Sequence, residues 1–138
     1  MNVREYLKQL ELLKIKIHKK ERELEEVREL SQSVGGVNYQ RERVQSSNVN
    51  SLENHVLKCM ELEEEIKKEI EDFLYLQHEI INQIYCLTNP DYVHLLVMRY
   101  VELKKLEEIS KIMNYSYQYI RELHTKALRN FEIEHKLA

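Results

Sequence analysis

Residues 106–125 read LEEISKIMNYSYQYIRELHT. Two short helices that cross at a sharp turn need a small residue where they approach, a left-handed backbone at the turn, and a branched aliphatic side chain that anchors the second helix on the first. Counted from Leu106, the fifth, ninth and fifteenth positions are Ser110, Asn114 and Ile120. Asn is the usual non-glycine choice for a left-handed residue, because its short polar side chain tolerates positive φ. Leu106, Ile109, Met113, Tyr115, Ile120 and Leu123 fill the phases predicted to be buried, and Ser116 stands where the second helix needs an N-cap. Any amphipathic helical pair has spaced aliphatics. Three position-specific residues and a cap within one such stretch specify a helix-turn-helix.

The composition around this unit predicts an all-α chain. Of 138 residues, 33% are charged, two are Gly and one is Pro, so few turns are possible. The absence of Trp and the presence of only two Phe suggest thin helix–helix seams more than one large core. The net charge of −3 excludes uniform coating of nucleic acid, but the charge is unevenly distributed. Residues 1–87 carry 13 Lys/Arg against 17 Asp/Glu, whereas residues 104–131 carry six against three. The positive excess coincides with the helix-turn-helix, where phosphate contacts would be needed.

Two seven-residue spacings organise the rest. Val3, Leu10, Ile17, Leu24 and Ser31 form one line with Tyr6, Leu13, Lys20 and Val27 between them. Leu52, Cys59, Ile66, Phe73, Ile80 and Leu87 form a second, with Leu62, Ile70, Leu76 and Ile84 between. Neither stripe can be buried by a single helix, so residues 1–87 are predicted to be a long coiled-coil helical hairpin that oligomerises, as a homodimer or higher homo-oligomer. Both glycines and a cluster of Ser, Asn and Gln mark a flexible loop at about 32–49. Thr88 or Asn89 caps the next helix and Pro90 opens it, so residues 88–138 form the helix-turn-helix domain. Its first helix, DYVHLLVMRYVEL, offers Tyr92, Leu95, Leu96, Met98 and Tyr100 as support.

The segment from LLVMRYVEL through LEEISKIMNYSYQYIRELHTKALRNF resembles region 4 of bacterial sigma factors, and more closely the ArpU/RinA-like regulators of late genes in prophages of low-GC bacteria. Arg99-Tyr100, Leu106 to Ile109, Asn114 to Ser116, Ile120-Arg121 and Lys126 to Arg129 carry the resemblance, over about 40 residues. It implies a transcriptional regulator, an activator, whose second helix enters the major groove of double-stranded DNA with Tyr117, Gln118, Arg121, Glu122 and Lys126 on the base-reading face. RNA polymerase is a candidate partner on the same ground. Tyr117 and Tyr119 stand where sigma factors usually carry Arg, and Glu122 where Gln is usual, so no −35 consensus is implied.

Helical geometry selects the same face. With Ile120, Leu123, Ala127 and Phe131 inward, Tyr117, Gln118, Arg121, Glu122, Thr125 and Arg129 point outward, and Lys126 flanks them. Gln can pair with adenine and Arg with guanine through two hydrogen bonds each. Lys104, Lys105, Ser116 and Arg129 are expected to hold the DNA backbone. His124, beside this face, is expected as a surface residue or a phosphate neighbour, not as a catalyst.

Other chemistry is poorly provided for. His55 and Cys59 could give two metal ligands, but no second pair follows at zinc spacing. The acidic run Glu61, Glu63, Glu64, Glu65, Glu69 and Glu71 is a solvated helix face. No phosphate loop, nucleophile elbow or carboxylate pair appears, so neither an enzyme, nor a cofactor, nor a metal is expected. The mixed charges of residues 1–20 do not form a signal peptide, no stretch is apolar enough to span a membrane, and the two cysteines are about 40 Å apart along one helix. A cytoplasmic location is expected. Two rivals remain open: a phage small-terminase-like DNA packaging protein, and a coiled-coil adaptor that does not touch DNA.

Overall fold

The computed structural model describes residues 2–36 and 45–136. Every secondary-structure element among them is helical: α1 (Val3–Gly36), α2 (Gln45–Tyr85), α3 (Pro90–Leu96) running into a π-helical turn (Val97–Val101), α4 (Leu106–Met113) and α5 (Tyr117–His135). α1 and α2 extend further than expected, so the loop predicted over 32–49 is helical at both margins. Residues 37–44 lie outside the described residues. Ser, Gln and Asn cost only about 0.5 kcal/mol each in a helix interior, and continuing an existing helix needs no new nucleus.

The helices fall into two compact units: Ile15–Asp72, and Met1–Lys14 with Phe73–Ala138. The sequence suggested a boundary at residue 88, between α2 and α3. In the unit Ile15–Asp72, α1 and α2 run antiparallel, since later residues of α1 face earlier residues of α2. Lys20 Nζ lies 2.6 Å from Glu69 Oε1, and Arg28 Nη2 lies 2.7 Å from Glu63 Oε1. The Arg28–Glu63 pair is exposed and contributes at most about 1 kcal/mol, whereas Lys20 and Glu69 are half-buried; both pairs fix the register. Between them Leu24, Leu62 and Ile66 are buried together, with Val27 and Cys59 partly buried against them. Ile70, expected in the same stripe, is instead 37% exposed. One partner helix covers a narrower stripe than a seven-residue repeat supplies.

In the other unit the beginning of α1 packs with the end of α2 and with α5. Tyr6 donates its hydroxyl hydrogen to Gln83 Oε1 at 2.5 Å, and its ring lies 6.1 Å from that of Phe131. His135 Nε2 donates to the Gln83 carbonyl at 2.7 Å. Asn89 caps α3 by accepting from the Asp91 amide at 2.9 Å, and Pro90 takes the first helical position, where its missing N–H costs nothing. The helix expected over 91–103 stops being α after Leu96. The Glu102 amide reaches back five residues to the Val97 carbonyl, and Leu103 turns left-handed at φ 59°. The Lys104 amide then bonds to the Met98 carbonyl, so the turn is closed although its residue is not glycine. Leu95, Met98, Ile109, Ile120 and Leu123 form one buried cluster, with Tyr92, Leu106 and Met113 against it.

Candidate nucleic-acid interface

α4 and α5 are joined by Asn114, Tyr115 and Ser116, and each residue has a separate local cause. Asn114 is left-handed, φ 60° and ψ 39°. The Tyr115 amide bonds to the Ser110 carbonyl at 3.1 Å. Ser110 is buried, and its hydroxyl donates to the Glu107 carbonyl at 2.6 Å, so the small side chain satisfies itself within α4 while leaving room for α5. Ser116 caps α5 by accepting from the Tyr119 amide at 3.1 Å. Ile120 is wholly buried. Tyr115 departs from expectation. It is exposed, its ring 4.7 Å from that of Tyr119 and its hydroxyl donating to Asp91 Oδ2 at 3.1 Å, because a phenol at a turn gains more from a carboxylate and water than from the core.

Along α5, Ile120, Leu123, Ala127, Leu128 and Phe131 are buried, and Tyr117, Gln118, Arg121, Glu122, Thr125, Lys126 and Arg129 are exposed. The Arg121 guanidinium lies over the Tyr117 ring at 5.7 Å, which restricts both side chains on the outward face. Thr125 donates to the Arg121 carbonyl at 3.2 Å. Ser116 still has a hydroxyl hydrogen to donate, since capping uses only its oxygen. Lys105 is exposed at the start of α4, whereas Lys104 Nζ is already 3.2 Å from Glu102 Oε1 and enters any anion contact partly neutralised.

His124 is not at the surface. It is buried, its Nε2 is 2.8 Å from the Tyr100 hydroxyl, and the two rings stack at 5.7 Å. Burial above all, then the positive charges of Arg4 and Arg99, push its pKa down to about 4. At neutral pH it is a neutral imidazole that can accept the Tyr100 proton. Burial likewise raises the Tyr100 phenol above its ordinary value. The signal for a buried His124 was present: residues 120, 123, 124, 127, 128 and 131 fall at the spacing of one helix stripe, and position 124 lies inside it.

Four of the outward residues, Gln118, Arg121, Glu122 and Thr125, line one side of a concavity of about 530 Å³. Arg4, Lys8 and Arg99 line it as well; Arg99 was marked in the sequence only as part of the Arg99-Tyr100 pair and not as a site residue, and Arg4 and Lys8 were not marked at all. Arg129 borders a neighbouring groove with Arg4 and Thr125. Tyr117, Lys126, Lys104, Lys105 and Ser116 line neither. In comparisons with family models, curated proteins and solved structures, nothing matched this chain. Among the described residues no three His, Cys, Asp or Glu side chains gather as metal ligands would, and no helix is long and apolar enough to cross a membrane.

Proposed function

We propose that this chain is a sequence-specific DNA-binding transcriptional regulator, in which α4 and α5 act as a helix-turn-helix and α5 enters the major groove. The observation that carries this is the left-handed Asn114 turn between buried Ser110 and buried Ile120, which leaves Tyr117, Gln118, Arg121, Glu122 and Lys126 exposed on the outer side of α5. An α-helix fits the major groove, and Gln and Arg are the side chains that pair bidentately with adenine and guanine. The resemblance to sigma region 4 and to ArpU/RinA-like late-gene regulators adds the direction of control, activation. It also adds RNA polymerase as a partner.

The antiparallel α1–α2 hairpin is the oligomerising element in this proposal, since it leaves Leu30, Leu57, Met60 and Ile70 exposed. A homodimer presents two copies of α5 to two half-sites.

The test is competition binding of a mapped site against random duplex at two salt concentrations. Arg121→Ala should lose about 1–3 kcal/mol on the specific site and much less on random DNA. Lys105→Ala should weaken both about equally and flatten the salt slope by about one. An unchanged ratio of specific to random affinity in Arg121→Ala would remove α5 as the base reader and bring forward an adaptor that does not touch DNA. A ring of many subunits in solution would favour the packaging protein.

A further inference from the structure

The chain has more acidic than basic residues, and several of its cations are matched. Lys16, Lys20, Arg28, Lys58 and Lys104 each lie within ion-pair distance of a glutamate. The cations lining the 530 Å³ concavity beside α5 are different. Arg4, Lys8, Arg99 and Arg121 make no ion pair among the described residues, and Glu122 is the one carboxylate on the wall. Four like charges from three separate elements repel one another unless an anion sits among them. Arg99 is held there: its Nη1 donates to the Lys104 carbonyl at 3.2 Å and its guanidinium lies 5.9 Å from the Tyr100 ring centroid, while its buried Nε has no hydrogen-bond partner. The field of Arg4 and Arg99 is felt by His124 on the same wall.

We infer that Arg4, Lys8 and Arg99 form a phosphate-binding pocket on the flank of α5, beside Arg121. Guanidinium groups match phosphate oxygens with paired N–H donors, and Lys8 adds a point charge. The committed source is a backbone phosphate of the duplex whose groove α5 enters, which rests on the DNA-binding reading of α5. The same chemistry would hold a free phosphorylated molecule, since the concavity is within the range of small-ligand sites. In either case the first two turns of α1 belong to the binding surface, and an occupant of the pocket lies next to Arg121 of the base-reading face.

The full-length chain tests this with three probes: random duplex DNA, inorganic phosphate and pyrophosphate. Arg4 and Lys8 are exposed, so the double variant Arg4→Ala/Lys8→Ala should keep the helical circular dichroism of the parent. Lys19→Ala/Arg22→Ala, also exposed and on α1 but not on the pocket, controls for loss of two charges. The pocket variant should bind duplex about tenfold or more weakly, with a salt slope flatter by about two, and the control should change little. Pyrophosphate should perturb the ring resonances of His124 in the parent and not in the pocket variant. If the parent binds no duplex yet binds pyrophosphate through Arg4 and Lys8, the source is a small molecule, the pocket stands and the DNA reading falls. If duplex affinity and slope are the same in the pocket variant and the control, and pyrophosphate leaves His124 unmoved, there is no phosphate pocket, whatever the fate of α5 as a reader.

Discussion

A neutral imidazole under a phenol makes His124 a source of acid sensitivity. Its pKa is about 4 in the folded protein, against about 6.5 in an unfolded chain. Below pH 6.5 the unfolded chain therefore takes up a proton that the folded one refuses, so stability is lost as pH falls from about 6.5 to 4 and is fully present above that range. Between pH 7 and pH 5 the difference amounts to about 2 kcal/mol. His124→Gln keeps a partner for the Tyr100 hydroxyl and cannot titrate. Urea unfolding at the two pH values should show the parent losing about 2 kcal/mol more than this variant, and equal losses would mean that His124 protonates freely in the folded state. At the same scale, Ser110, Asn114, Ser116 and Ile120 were legible in the sequence because each answers a constraint set within a few residues of itself. Arg4, Lys8 and Arg99 were not, since only tertiary packing brings them to α5.

Among the elements, α5 depends on its first turn. Its leading amides have no partner within the helix, and Ser116 Oγ satisfies the one at Tyr119. Ser116→Ala should cost about 1 kcal/mol of stability in chemical denaturation. Ser116→Asp should cap equally well and gain from the helix dipole, yet it sets a carboxylate where a DNA phosphate is proposed to lie. Stability retained with random-duplex affinity lost would separate the two roles of this residue; a Ser116→Ala variant as stable as the parent would remove the cap from the account. Helix identity was readable from periodicity and punctuation, as the Asn89–Pro90 start of α3 illustrates. The π-helical turn was not. Met98 and Tyr100 would lie about 200° apart on a regular helix, and both are buried because different partners cover them: Met98 joins Leu95, Ile109 and Ile120, while Tyr100 stacks on His124. No local pattern encodes a choice that two separate neighbours make.

For the molecule as a whole, the apolar surface that the hairpin leaves uncovered bears on assembly. The seven-residue stripes predicted a seam, and one face of it is closed by Leu24, Leu62 and Ile66 within a single chain. Substituting those residues would unfold the hairpin and say nothing about a second copy. Leu57 and Met60 are the better probes, 56% and 58% exposed and one turn apart on α2, so their replacement by Glu removes no contact of the buried cluster. If a homodimer covers this face, sedimentation of the full-length chain at tens of micromolar should give a dimer for the parent and a monomer of unchanged helicity for Leu57→Glu/Met60→Glu. The DNA response should follow: with three or four phosphates neutralised per protomer, log K against log salt should have a slope of roughly −5 to −7 for the dimer and about half that for the variant, whose affinity also loses the advantage of two linked sites. A parent that sediments as a monomer would overturn the oligomer, and a slope unchanged in the variant would mean that each protomer meets DNA alone.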